Sequence, residues 1–146
     1  MSDVKLGYIG LGNMGAPMAK RLLDWPGGLV VFDVRAETME PFAEAGATAA
    51  ATVADVAQAD IISVTVLDDA QVREVVGQLA ATASAGTVIA IHSTIADGTA
   101  AELARQFEPA GIHIIDAPVS GGAGAAEKGE LATMVGAPRE VYERIK

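Results

Sequence analysis

Short apolar runs alternate along this chain with longer stretches whose apolar positions recur every three or four residues. The first pattern suits buried strands and the second amphipathic helices. Val4–Ile9, Leu29–Phe32, Ala47–Thr48, Ile61–Val66, Thr87–Ile91, His113–Asp116 and Leu131–Val135 read as strands. Asn13–Asp24, Thr38–Glu44, a segment near Val53–Gln58, Ala70–Ala80 and Thr99–Phe107 read as helices, and another is expected to begin near Pro138. Several strand segments are continuous apolar runs, which a strand covered on both faces requires. Strands that alternate with helices of this length imply crossover connections. The pattern therefore predicts an α/β fold with a doubly wound, mostly parallel sheet. The turn-forming stretch "DWPGGL" separates the first helix from the second strand.

Composition narrows the field. A length of 146 residues fits one domain. The longest apolar stretch, Ile61–Leu67, is interrupted by Ser63 and Thr65 and is far too short to span a bilayer. A net charge of −9 argues against nucleic acid or an anionic membrane as partner, because both require a basic face. The absence of cysteine excludes disulfides, thiolate nucleophiles and cysteine metal sites, and the other metal-ligating residues have no useful spacing. No leader pattern precedes the first strand, so a cytoplasmic location is expected. Half of the residues are apolar and mean hydropathy is +0.34, as expected of a fragment whose neighbouring domain covers an apolar face.

Chemistry enters with "YIGLGNMGAPMAKRLL", where Gly10, Gly12 and Gly15 lie between a strand and a helix. In a phosphate-binding loop, Gly10 permits the tight turn and Gly12 admits the pyrophosphate where a Cβ would collide. Gly15 lets the helix approach the sheet, and free N–H groups at the helix start face the phosphates. The alternative is a strand–helix turn without a ligand. Asp33 supports the loop reading: it ends "VVFD", eighteen residues after Gly15. A carboxylate there accepts the adenine-ribose hydroxyls and repels a 2′-phosphate, which points to NAD. The alternatives are that Asp33 caps the next helix, and that Arg35 pairs with the 2′-phosphate of NADP.

"GLGNMGAPMA" and "DAPVSGGAGAAEKGELATMVG", more than a hundred residues apart, together resemble the β-hydroxyacid dehydrogenases of the 3-hydroxyisobutyrate dehydrogenase type. The resemblance runs over the whole chain and covers that family's amino-terminal half. It implies a Rossmann-like dinucleotide-binding domain over residues 1–146, with an all-helical domain after Lys146. Gly10, Leu11, Gly12, Asn13, Met14 and Gly15 would hold the pyrophosphate and Asp33 the ribose. Leu67 and Thr94 would line the nicotinamide half, and Ser120, Gly121 and Gly122 would meet the substrate. The family's proton-transferring lysine has no counterpart here, so this chain by itself is expected to be inactive. Ile91 and Asp68 stand where the family often has Asp and Pro, and Gly136-Ala137 replaces a frequent Gly-Gly.

The reaction so implied is hydride transfer between NAD(P) and a short β-hydroxyacid or its semialdehyde, in a full-length homo-oligomer. An imine reductase on the same fold and a non-catalytic nucleotide-binding interaction module are the competing readings. Among the remaining candidates, Asp68 or Asp69 reads as a helix cap, Asp116 as a turn residue and His113 as a strand-edge histidine. His92-Ser93 lacks the nucleophile-elbow spacing of a hydrolase.

Overall fold

The computed structural model describes residues 4–11, 15–23, 27–66, 69–92, 99–116, 119–120 and 132–133. Its strands are β1 (Leu6–Ile9), β2 (Leu29–Phe32), β3 (Thr48–Ala49), β4 (Ile61–Val64), β5 (Val88–Ile91), β6 (His113–Asp116), β7 (Val119–Ser120) and β8 (Ala132–Thr133). Its helices are α1 (Gly15–Lys20), α2 (Ala36–Glu44), α3 (Val53–Val56), α4 (Asp69–Thr82) and α5 (Thr99–Phe107). The first six strands form one parallel sheet in the order β3-β2-β1-β4-β5-β6. This is the doubly wound, Rossmann-like arrangement.

Side chains alternate between the two faces of the sheet. Ile9, Ile62, Val64, Ile89, Ile91 and Ile114 pack on one face against Val53 and Val56 of α3, Val72, Val76 and Leu79 of α4, and Leu103 of α5. On the other face Tyr8, Leu29 and Val31 meet Ala19 of α1 and Phe42 of α2. All four residues of β5 are buried, as its apolar sequence "VIAI" demands.

Several boundaries differ from the expected ones. Helix α2 begins at Ala36, two residues early; the Thr38 hydroxyl donates to the Arg35 carbonyl within the first turn. Helix α3 stops at Val56, because the backbone turns back to deliver the Ala59 N–H to the Val56 carbonyl. The predicted last strand does not extend the parallel sheet among the described residues; Ala132–Thr133 pairs antiparallel with Val119–Ser120. The helix expected near Pro138 lies outside the described residues, as do Gly12, Asn13, Met14, Leu67, Asp68, Thr94, Gly121 and Gly122.

Candidate functional site

After β1 the chain winds outward through β2 and β3, then returns to place β4 on the other side of β1. The strand order therefore reverses between β1 and β4. In an open parallel sheet, the carboxyl ends of the strands at such a reversal form the ligand crevice. Gly10, Asp33, Thr65 and His92 follow directly on β1, β2, β4 and β5.

The turn after β1 depends on two glycines. Gly10 has φ +99°, a region that side-chain-bearing residues rarely occupy, and a Cβ there would run into the carbonyl oxygen of Thr65. A Cβ on Gly15 would strike the Gly10 carbonyl oxygen and come within 3.4 Å of the Tyr8 ring. The first residue of α1 thus packs directly against the end of β1. Backbone bonds tie this turn to both neighbouring strands: the Gly10 N–H donates to Phe32 (3.0 Å), and the Thr65 N–H donates to Ile9 (2.8 Å).

Asp33, 8 % exposed, fastens the same turn from the β2 side. Its Oδ2 accepts the Leu11 N–H at 2.8 Å, and its Oδ1 accepts the Arg35 N–H at 2.9 Å. The Arg35 Nε lies 3.4 Å from the same Oδ1. Burial pushes the Asp33 carboxyl up, but the Arg35 and Leu11 N–H donors and the guanidinium outweigh it. The group is held below the ordinary carboxylate range and is ionised at neutral pH. A carboxylate offers about four lone-pair directions, so it retains acceptor capacity for ribose hydroxyls beside these bonds. The two glycines and the carboxylate therefore fit a dinucleotide. The bond to Leu11 was not foreseeable from sequence, because it spans 22 positions.

Sequence reasoning also missed a polar layer under the crevice. The Tyr8 hydroxyl lies 2.8 Å from Thr65 Oγ1 and 3.3 Å from Met18 Sδ. His92 stacks on Tyr8, with ring centroids 6.4 Å apart and planes 15° from parallel, and its Nε2 is 3.1 Å from Ser63 Oγ. The available signal was the spacing of Ser63 and Thr65, which puts both hydroxyls on one face of the β4 segment. Burial raises the Tyr8 phenol to about 12, against a smaller opposing effect of its bond to Thr65, so its proton is present throughout the physiological range.

Of the residues expected to meet the substrate, Ser120 lies in β7, and Gly121 and Gly122 lie outside the described residues. Among the described residues no group of three His, Cys, Asp or Glu side chains could hold a metal, and no helix is long and apolar enough to cross a membrane. A groove of about 460 Å³ lined by Lys5, Val30, Thr48, Asp55 and Gln58 lies at the opposite, amino-terminal end of the strands, away from this chemistry.

Fold and site together define a dinucleotide-binding α/β domain. A profile describing the NAD binding domain of 6-phosphogluconate dehydrogenase matches residues 5–146. The chain belongs to this NAD-binding family, and the relatives it resembles include 3-hydroxyisobutyrate dehydrogenases. It is 70% identical over 145 residues to an uncharacterised oxidoreductase of Mycobacterium tuberculosis H37Rv, covering 97% of this chain and 49% of that protein. It is 38% identical over 139 residues to the mitochondrial 3-hydroxyisobutyrate dehydrogenase of Rattus norvegicus, covering 92% and 42% respectively. The solved structure of Mycobacterium tuberculosis 3-hydroxyisobutyrate dehydrogenase with L-serine superposes with a TM-score of 0.91 at 30% identity, covering 98% of this chain and 50% of that one. The chain thus spans about half the length of the curated relatives it matches.

Proposed function

We propose that this chain is the nucleotide-binding half of an NAD-dependent oxidoreductase that acts on a short β-hydroxyacid or its semialdehyde. The observation that carries the cofactor reading is the Asp33 carboxylate. It is ionised, nearly buried, and joined to the glycine turn through the Leu11 N–H at the crevice. An anionic group there favours two ribose hydroxyls over a 2′-phosphate. Arg35, a cation beside Asp33 that would favour NADP, bonds back to Asp33 and is partly neutralised by it.

The substrate class rests on the names of the relatives and on the segment from Ser120 to Gly122. Consecutive glycine N–H groups and the Ser120 hydroxyl suit a carboxylate. Leu67 and Thr94 would border the nicotinamide half. Hydride transfer also requires a group to take the hydroxyl proton; in this reading that group is a lysine in a helical domain beyond residue 146.

The test is calorimetric titration of the full-length protein with NAD and with NADP. NAD should bind more tightly, and Asp33→Ala should weaken it by roughly 1–3 kcal/mol, the scale for hydrogen bonds to a charged group. Tighter binding of NADP by the wild type would refute the role given to Asp33.

A further inference from the structure

The polar layer beneath the crevice has no part in the cofactor contacts described above, and one of its members joins three elements. Tyr8 is 1 % exposed in β1. Its hydroxyl reaches Thr65 Oγ1 just beyond β4 and Met18 Sδ on α1. Thr65 in turn abuts the glycine turn, since its carbonyl oxygen fills the space a Cβ on Gly10 would need. Its N–H is held by the Ile9 carbonyl.

Threonine is branched at Cβ and has few χ1 options. Holding its hydroxyl therefore also restrains its backbone. With the hydroxyl and the N–H both bound to β1, the chain leaving β4 is fixed in position against the glycine turn. His92, stacked on the Tyr8 ring and bonded to Ser63, closes the β5 side of the same layer.

We propose that the Tyr8 hydroxyl is a positioning residue that aligns the exit of β4 with the glycine turn, and so couples the two halves of the dinucleotide crevice. The inference rests on the reading that the β4 exit borders the nicotinamide half while the glycine turn and Asp33 serve the adenosine diphosphate half. A tyrosine suits this role because its ring fills the core while its single oxygen reaches a fixed point. The two oxygens lie 2.8 Å apart, so loss of either leaves the other without this partner.

The experiment is a double-mutant cycle in the full-length protein, with Tyr8→Phe, Thr65→Val and the pair. Dissociation constants are measured for NAD and for ADP-ribose, which lacks the nicotinamide. Each single variant should weaken NAD about three- to tenfold, the effect of one buried hydrogen bond. ADP-ribose affinity should change by less than about twofold. The double variant should lose no more than either single one, and Thr65→Ser, which keeps the hydroxyl, should restore most of the NAD affinity. Equal losses for the two ligands would overturn the inference and make the bond a part of the general scaffold. So would additive losses, or none. If Tyr8→Phe does not fold, the NAD to ADP-ribose comparison in Thr65→Val and Thr65→Ser decides alone, because Thr65 is only half-buried. A wild type that binds neither ligand would instead refute the functional reading itself.

Discussion

At the scale of the single residue, the Asp33 carboxylate ties two backbone segments together, and what its charge contributes can be read from pH. Its carboxylate holds the Leu11 and Arg35 N–H groups, and these bonds keep its pKa below the unfolded value. A carboxyl depressed in the folded state contributes stability above the unfolded pKa and loses it as pH falls through the folded one. Asp33→Asn keeps the shape but offers one oxygen to two separate donors. The variant should therefore be less stable than wild type at pH 7 by about 1.5–3 kcal/mol, and the gap should close as pH falls below about 4. Thermal unfolding of both proteins across that range checks this; a gap independent of pH would mean that the charge contributes nothing. The sequence placed this aspartate at a strand end beside a glycine loop. It left open whether Asp33 serves the ribose or caps the next helix. The bonds to Leu11 and Arg35 show a protein-internal role for both oxygens.

At the scale of the element, local chemistry was legible where it was self-contained. The four-residue helix α3 starts at Val53, where the sequence pattern put it, and the structure adds the reason. Thr52 Oγ1 accepts the Asp55 N–H at 3.3 Å, and Asp55 Oδ2 accepts the Thr52 N–H at 3.2 Å, a reciprocal cap. So short a helix has almost no internal bonds, and the cap together with the burial of Val53 and Val56 defines it. Thr52→Ala should lower the unfolding free energy by about 1 kcal/mol in urea titrations without altering NAD affinity, because the cap lies away from the crevice. A loss below about 0.3 kcal/mol would show that packing alone holds this turn. Boundaries were less legible, since the start of α2 and the end of α3 depend on where the chain must bend to reach the next strand.

At the scale of the whole molecule, the chain contains the residues proposed to hold the cofactor but spans about half the length of the curated relatives it matches. Residues 1–146 alone should therefore bind NAD with most of the affinity of the full-length protein. They should turn over 3-hydroxyisobutyrate and related hydroxyacids more slowly by a factor of at least roughly 10²–10⁴, the contribution of general acid–base catalysis. Without the proposed second domain, misplaced substrate and admitted water would add to this. Matching turnover in the two forms, measured by NADH absorbance, would place the proton acceptor inside this chain and refute the division of labour.

The sequence by itself determined the layered α/β fold, the order of its elements through β6, the glycine turn after β1 and the place of Asp33 at the end of β2. Each of these rests on a period or a spacing of at most a few tens of residues, which the chain displays directly. Only the tertiary structure decided that Asp33 latches Leu11, that the Gly10 turn is closed by the carbonyl of Thr65, and that Tyr8 reaches the same threonine across 57 positions. Parallel pairing is the reason. It brings β1 beside β4 through a long crossover, and no local pattern records which side chains then stand within 3 Å of each other.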